Sequence, residues 1–279
     1  MKAFEIIRIG SIVLKEKNIK SHILDSELLL SKTLNKSREE ILVNLDRKLK
    51  KCNILKFKKY LVRRSKNEPM AYILGEKEFW SKKFNVNRDT LIPRPETELL
   101  VEKLSLILKE KKNSILDIGT GSGCIILSLL SSMKQSTGTG IDISRKAILT
   151  AKKNAIKHKL TKRVKFFIRS FEDVFAVKFD LIVSNPPYIE RKKIKNLSDD
   201  IKKYEPIMAL DGGNDGLDLI KKVIYKARDI LKVDGILALE IGNGQDRKVS
   251  KILIDNNFRI KDFIKDYKNN IRCIIASYR

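Results

Sequence analysis

Five short apolar runs from residue 114 onward limit the fold of the chain more than any other feature. They are Ser114–Ile118, Thr137–Asp142, Val164–Ile168, Phe179–Ser184 and Gly235–Ile241. Runs of this length, apolar without strict alternation, suit strands buried on both faces. Helical stretches lie between them, around Cys124–Ser132, Ser144–Lys157 and Leu217–Leu231. Strands that alternate with helices imply a parallel sheet covered by those helices, because each parallel return needs a long crossover. The end of the chain differs. Phe258–Phe263 and Ile271–Ser277 flank only the short stretch Ile264–Asn270, so the last strand must run antiparallel to its neighbour.

The first 75 residues have another character: short helices and no catalytic cluster. Asp25–Leu34 is a helical run in which Leu28, Leu29 and Leu30 are too apolar to face water. Ser37 with Glu40 has the spacing of a capping box. Pro69 can open a last turn and Gly75 can close it at a positive φ. Two extended pieces follow, Glu78–Trp80 and Lys83–Val86, which predict a hairpin between two domains. Ile92-Pro93-Arg94-Pro95 must be extended, since each Pro disfavours helix in the residue before it. A helix is expected from near Glu96, with Leu100, Leu104 and Leu108 on one face. The organisation predicted is a helical domain at 1–75, a hairpin linker at 76–92 and a catalytic domain at 93–279.

Composition narrows the class. Hydrophobic residues make up 42% of the 279, enough for a sizeable core. The N-terminal residues mix charge with apolar positions, and no run approaches a membrane span, which points to the cytoplasm. Cys52, Cys124 and Cys273 are widely spaced, and with only two histidines no metal site can be read; lone buried cysteines are expected. The net charge of +25 invites a nucleic-acid reading, yet the excess is spread along the chain. One segment stands out: Arg47 to Lys66 holds ten basic residues and no acidic one. Its apolar members Leu49, Ile54, Leu55, Phe57, Leu61 and Val62 could share a helix face. The charges are then either a solvated face or a docking surface for an acidic partner or RNA.

The chemistry concentrates after the strands. Ser114–Ile118 leads into Gly119-Thr120-Gly121-Ser122-Gly123, a loop whose glycines turn tightly and let a ligand reach the main chain near a helix N-terminus. A dinucleotide fingerprint would need glycine where Cys124 stands. The G-x-G-x-G spacing after Asp117 is instead the usual first motif of class I methyltransferases. Asp142 ends the next strand, where a carboxylate can accept from both ribose hydroxyls, the alternative being a helix N-terminal acid. Phe171, after the third strand, can stack on adenine or serve as plain core.

Asn185-Pro186-Pro187-Tyr188 follows the fourth strand, at the edge where open α/β sheets bind ligands. The Asn185 side-chain oxygen and the Pro186 carbonyl can each accept one hydrogen of a planar NH2 group. Held so, the nitrogen presents its remaining direction to a methyl donor. Pro186 and Pro187 stiffen the backbone in advance, and the Tyr188 ring can pack on the flat group. No strong base is needed.

This motif does not say who owns the NH2 group. Other segments do: Glu68-Pro69, Tyr72-Ile73-Leu74-Gly75, Ile92-Pro93-Arg94-Pro95-Glu96-Thr97-Glu98-Leu99-Leu100 and Asn185 to Ile189 resemble the HemK-type release factor glutamine methyltransferases. So do Glu205-Pro206, Ala209-Leu210, Gly212-Gly213, Asp215-Gly216-Leu217 and Glu240-Ile241-Gly242 with Gln245, together with Asp25 to Leu30. The resemblance implies a class I, Rossmann-like α/β fold: a seven-stranded, mostly parallel sheet with an antiparallel last strand, plus a small N-terminal all-α domain. It implies S-adenosylmethionine as methyl donor, bound at Gly119 to Gly123, Asp142, Phe171 and Asn185. The substrate it implies is the glutamine of a Gly-Gly-Gln tripeptide in peptide chain release factors, gripped by the helical domain. Neither membrane nor a direct nucleic-acid substrate is expected, although weak RNA contact through the basic surface stays open. The chain departs from the family at Lys268-Asn269, where Ala-Gly is common. The runner-up is an amino-methyltransferase acting on adenine or guanine in nucleic acid.

Overall fold

The computed structural model describes residues 1–108 and 111–279. They divide into two compact units, residues 1–75 with 198–204, and residues 76–197 with 205–279.

The first unit holds α1 (Ala3–Glu16), α2 (His22–Leu34), α3 (Arg38–Val43), α4 (Lys51–Ser65) and α5 (Met70–Leu74). Their apolar faces meet in one core that includes Ile6, Leu14, Leu29, Leu30, Phe57, Leu61 and Ile73. Both halves of the Ser37–Glu40 capping box are formed, and Gly75 closes α5 at φ 78°. Leu28 is only half-buried, while Leu29 and Leu30 are fully covered. On α4 the expected apolar face is narrower than its composition suggests. At about 100° per residue, Phe57 and Leu61 share a direction, whereas Leu55 and Val62 are turned away from it. Phe57 and Leu61 are accordingly buried, and Leu55 and Val62 are exposed. Two of the basic residues also turn inward: Arg64 Nε donates to the buried Asp25 carboxylate at 2.7 Å, and Arg63 grips Glu68 with two bonds of 2.8 Å.

The second unit opens with the hairpin β1 (Glu76–Phe79) and β2 (Lys82–Asn85). Trp80 and Ser81 form its two-residue turn at φ 52° and 53°, so Trp80, expected in the strand, is in the turn. Positive φ at both positions is what a type I′ hairpin turn requires, and its twist matches that of the flanking strands. Phe79 and Phe84 are buried in the core of the main sheet, which places the hairpin within the catalytic unit.

Beyond it come α6 (Pro95–Leu108), β3 (Ser114–Ile118), α7 (Cys124–Ser132), β4 (Thr137–Asp142), α8 (Arg145–Lys157), β5 (Val164–Ile168) and β6 (Phe179–Ser184). Then follow α9 (Arg191–Ile194), α11 (Asp218–Ile230), β7 (Leu231–Glu240), α12 (Asp246–Asp255), β8 (Phe258–Lys265) and β9 (Ile271–Tyr278), while α10 (Asp199–Tyr204) belongs to the first unit. The seven-stranded sheet has the order β5-β4-β3-β6-β7-β9-β8. All its neighbours pair in parallel except β9, which is antiparallel to both β7 and β8. This is the α/β fold with an antiparallel last strand that the spacing of the final two runs implies. The tight connection between β8 and β9 survives the loss of glycine because Asn269 adopts φ 63°.

Side chains alternate across the sheet. Ile115, Leu181, Val183, Ala238 and Ile275 pack with α6, α7 and α8. Leu116, Ile182, Leu237, Leu239 and Ile274 pack with α11 and α12 on the other face. Among the described residues, no helix is long and apolar enough to cross a membrane.

The helical unit offers a test of packing against propensity. A Cβ on Gly10 of α1 would come within 2.7 Å of Phe57 Cζ and closer still to the Ser26 hydroxyl. Gly10→Ala gains about 1 kcal/mol of helix propensity, against overpacking of about 1–3 kcal/mol where the neighbours are buried and cannot yield. The overpacking should win, seen as faster amide hydrogen exchange in α1 and α4. Unchanged or slower exchange would show that the core gives way.

Candidate active site

The order of the sheet reverses between β3 and β6, and the loops after these two strands open at the same edge. The Ser184 hydroxyl donates to the Ile118 carbonyl at 2.8 Å, which ties the two strand ends together.

Gly119, Gly121 and Gly123 all have positive φ, of 70°, 53° and 79°. That run of left-handed residues is what the spacing of the three glycines permits. The NH groups of Gly119 and Thr120 both donate to the Ile141 carbonyl at 3.0 Å, joining the loop to the end of β4. Asp142 is part of the same cradle: Gly121 NH donates to its Oδ2 at 3.0 Å and Ser144 NH to its Oδ1 at 2.9 Å. Ser144 itself caps α8 through its hydroxyl, so the helix does not depend on Asp142 as its cap. Burial raises the Asp142 carboxyl, against the pull of the Ser144 and Gly121 NH groups. Each carboxylate oxygen has a further lone pair with which to accept a hydroxyl.

Asp117, just before the loop, is fully buried; Thr120 Oγ1 donates to its Oδ2 at 2.6 Å, while its Oδ1 has no partner. An added Cβ at Gly119 would meet nothing within 4 Å. Open space over Gly119, an unpartnered buried carboxyl oxygen on Asp117 and an Asp142 with lone pairs to spare fit a cationic, ribose-bearing cofactor. Phe171 opens a short turn after β5, half-buried and packed against the core on the α11 side. Ser122 is buried and its carbonyl accepts from Asn154 Nδ2 at 2.8 Å. Cys124 is half-buried and its thiol is pushed up to about 12 by burial, which leaves it neutral. Cys273 is buried, whereas Cys52, expected inside, is exposed because it falls on the outer side of α4. Among the described residues, no three His, Cys, Asp or Glu side chains gather as a metal site.

Asn185, Pro186, Pro187 and Tyr188 leave the end of β6 and are held from several directions. Ile189 NH donates to Leu210 O at 3.1 Å, and Gly212 NH to Ile189 O at 2.9 Å. A Cβ at Gly212 would lie 2.8 Å from the Pro187 carbonyl, so only glycine allows this approach. Gln245 Nε2 donates to the Tyr188 carbonyl at 3.0 Å and to the Gly216 carbonyl at 3.2 Å, while its Oε1 accepts Gly242 NH. The Tyr188 hydroxyl donates to Glu240 Oε1 at 3.2 Å and accepts from Arg272 Nη2 at 3.2 Å. Thr97 Oγ1 donates to Glu240 Oε2 at 2.6 Å, and Asn185 Nδ2 approaches Thr97 Oγ1 at 3.4 Å. Burial raises the Glu240 carboxyl, and Thr97, Arg272 and Tyr188 counter it. Beside them, the buried Glu205 accepts from Arg94 Nη2 at 2.6 Å and from Ile92 NH at 3.2 Å, which fixes the Pro-Arg-Pro segment.

Motif spacing alone gave no part to Thr97, Glu205, Glu240, Gln245 and Arg272. A signal was present for Glu240, a lone acid at the carboxyl end of an apolar strand, the position where such sheets place ligand-facing groups.

A glycine cradle with its acid and an Asn-Pro-Pro-Tyr loop on the same sheet edge define a class I S-adenosylmethionine-dependent methyltransferase. Residues 95–203 match the methyltransferase small domain, and residues 5–75 match the PrmC N-terminal domain. The chain is 41% identical to the release factor glutamine methyltransferase of Fusobacterium nucleatum, over 94% of this chain and 75% of that one. It is 40% identical to that of Clostridium botulinum, over 95% of each. This chain belongs to the release factor glutamine methyltransferase family. It also spans about half, 53%, of a bifunctional methyltransferase of Rickettsia bellii, at 38% identity. In structure it resembles a ribosomal protein L11 methylase of Lactobacillus delbrueckii (TM-score 0.52, 19% identity, 70% of this chain and 84% of that), which shows the shared fold.

Burial lifts the Asp117 carboxyl from 3.8 to about 7, opposed by Thr120 and the backbone at Ile126 and reinforced by Asp142. Between those values the folded chain keeps a proton that the unfolded chain has released, so this group favours folding less as pH rises through the window. Asp117→Asn should flatten the fall in stability between about pH 5 and about pH 7.5, measured as urea midpoints without cofactor. Equal slopes in the two proteins would rule the assignment out.

Proposed function

We propose that the chain methylates the side-chain amide nitrogen of the glutamine in the Gly-Gly-Gln tripeptide of peptide chain release factors. The observation that carries this reading is the Asn185 carboxamide, whose Nδ2 approaches Thr97 Oγ1 and whose Oδ1 is left as the acceptor. Asn185 Oδ1 and the Pro186 carbonyl each accept one hydrogen of the glutamine NH2 group. Both are preorganised, so little reorientation is needed as positive charge develops on that nitrogen. When bound, S-adenosylmethionine would supply an electrophilic methyl group; Gly119, Thr120, Gly121, Ser122 and Gly123 would line its place, Asp142 would take the ribose hydroxyls, and Phe171 would border the base. The substrate nitrogen would gain the methyl group as that group's bond to sulfur is lost, and the surplus proton would pass to water. Tyr188 covers the flat face of the amide. Pro187 stiffens the turn between them.

An amide is too small and too common a target to be chosen by such a clamp alone, so selectivity requires contacts remote from the nitrogen. Residues 1–75 are the proposed source. The exposed lysines of α4, among them Lys56, Lys58 and Lys59, would face an acidic surface of the release factor. The work belongs to the cytoplasm, where release factors act.

Mass spectrometry of a release factor incubated with the protein and S-adenosylmethionine should find one methyl group on that glutamine. Asn185→Ala should slow the transfer about 10²-fold with little change in donor affinity. Methylation of RNA with none on the release factor would sink the assignment.

Reversing Lys56, Lys58 and Lys59 to Glu should lower kcat/KM on intact release factor, most at low salt, without altering calorimetric binding of the donor. A triple variant indistinguishable from the parent at low salt would remove α4 from recognition.

A further inference from the structure

We propose that Glu240 and Thr97 are positioning residues of the methyl transfer. Through the Thr97 hydroxyl, the buried Glu240 carboxylate turns the Asn185 NH2 inward and its oxygen outward to the substrate amide. The proposal rests on the amide reading above and deepens it.

Glu240 is the last residue of β7 and is wholly buried. An ionised carboxylate only accepts hydrogen bonds, and burying one is costly unless its oxygens are occupied. Thr97 occupies Oε2 at 2.6 Å and Tyr188 occupies Oε1 at 3.2 Å. A threonine hydroxyl has one proton, and here Glu240 takes it. Any group that approaches Thr97 Oγ1 must therefore donate, and the Asn185 atom 3.4 Å away is Nδ2.

The consequence lies at the other end of the carboxamide. An Asn side chain has nearly the same shape when flipped, but its polarity is reversed. Flipped, it would set an NH2 against the NH2 of the substrate, and one of the two acceptors would be lost. The short hydrogen bond from Thr97 to Glu240 removes that alternative. Arg272 extends the same logic to the far end of the loop: its Nη2 donates to the Tyr188 oxygen at 3.2 Å, so the phenolic proton also goes to Glu240. One carboxylate thus sets Asn185 and Tyr188 together. This gives the Pro-Arg-Pro-Glu-Thr segment a chemical purpose, since it places Thr97 in the first turn of α6.

The test compares the parent with Thr97→Val, Thr97→Ser and Glu240→Gln through two readouts. In steady-state methylation of release factor, Thr97→Val and Glu240→Gln should lower kcat by about tenfold to hundredfold, the scale of a misplaced reacting group. KM and donor affinity should change by less than about threefold, because uniform binding is not what is lost. Thr97→Ser, which restores the hydroxyl, should recover most of kcat. The second readout is hydrogen exchange of the Asn185 side-chain NH2 in 15N-labelled full-length protein, identified by its absence in Asn185→Ala. Exchange should be slow in the parent and in Thr97→Ser and at least about tenfold faster in Thr97→Val. If Glu240→Gln fails to fold, the two Thr97 variants decide the matter. A kcat for Thr97→Val close to the parent's, or Thr97→Ser as slow as Thr97→Val, would overturn the proposal. A parent that leaves release factor glutamine unmodified would overturn the substrate reading instead, and the exchange of the Asn185 NH2 would then decide the inference alone.

Discussion

Everything at the active edge depends on β3 and β6 lying side by side in parallel, with Ile118 opposite Ser184 in register. Parallel neighbours deliver their following loops to the same edge, and where strand order reverses the crossovers leave to opposite faces and open a crevice. The donor loop after β3 and the acceptor loop after β6 therefore meet without either strand bending. Both strands are covered on each side, by α6, α7 and α8 on one and by α11 and α12 on the other. That rigid floor allows the loops above it to carry polar groups whose angles matter.

Those groups are ionisable side chains in unusually dry places. Asp117, Glu205 and Glu240 are all buried in the catalytic unit, and Asp25 and Glu68 in the helical unit. A buried ion is tolerated only when it is paired and hydrogen-bonded, and removing one partner of such a pair leaves an uncompensated charge. Glu205 satisfies this through Arg94 and Ile92, and Asp25 through Arg64 and Ser21. Asp117 keeps one oxygen unpartnered. The contrast separates their roles: Glu205 and Asp25 fasten segments together, while Asp117 retains an acceptor beside the glycine cradle.

The sheet was legible because burial on both faces writes strands as apolar runs, and Ser114–Ile118, Val164–Ile168 and Phe179–Ser184 have the ends that their composition implies. Turn geometry was harder to read. Trp80 is a good strand former, but the two-residue turn demanded positive φ there, and tertiary context outweighed propensity. The start of β7 at Leu231 was likewise hidden, since Lys232 and Asp234 are exposed and break the apolar pattern. The short helices α9 and α10 and the longer α12 were also missed, being too short or too polar to show a clear period. In the site, Gly119 to Gly123 and Asn185 to Tyr188 are contiguous and could be read as motifs. Thr97, Glu205, Glu240 and Arg272 are scattered along the chain, and no local pattern announces which of them share a hydrogen bond.

That scatter has a mechanical meaning. The reacting loop touches α6 through Thr97, the segment before α11 through Gly212 and Gly216, the end of β7 through Glu240, and β9 through Arg272. A loop tied only to its own neighbours would carry the mobility usual for surface connections. This one is over-determined by elements drawn from most of the catalytic unit, so its acceptors keep their geometry when no substrate is present. Such fixity suits a reaction in which the nitrogen is a poor nucleophile and no strong base assists, because orientation is then the main thing the protein can supply. The same fixity leaves the clamp blind to the identity of the rest of the substrate. The buried charges of the helical unit are spent differently, on holding that unit together: Arg64 pairs with Asp25, Arg63 with Glu68 and Arg38 with Glu27.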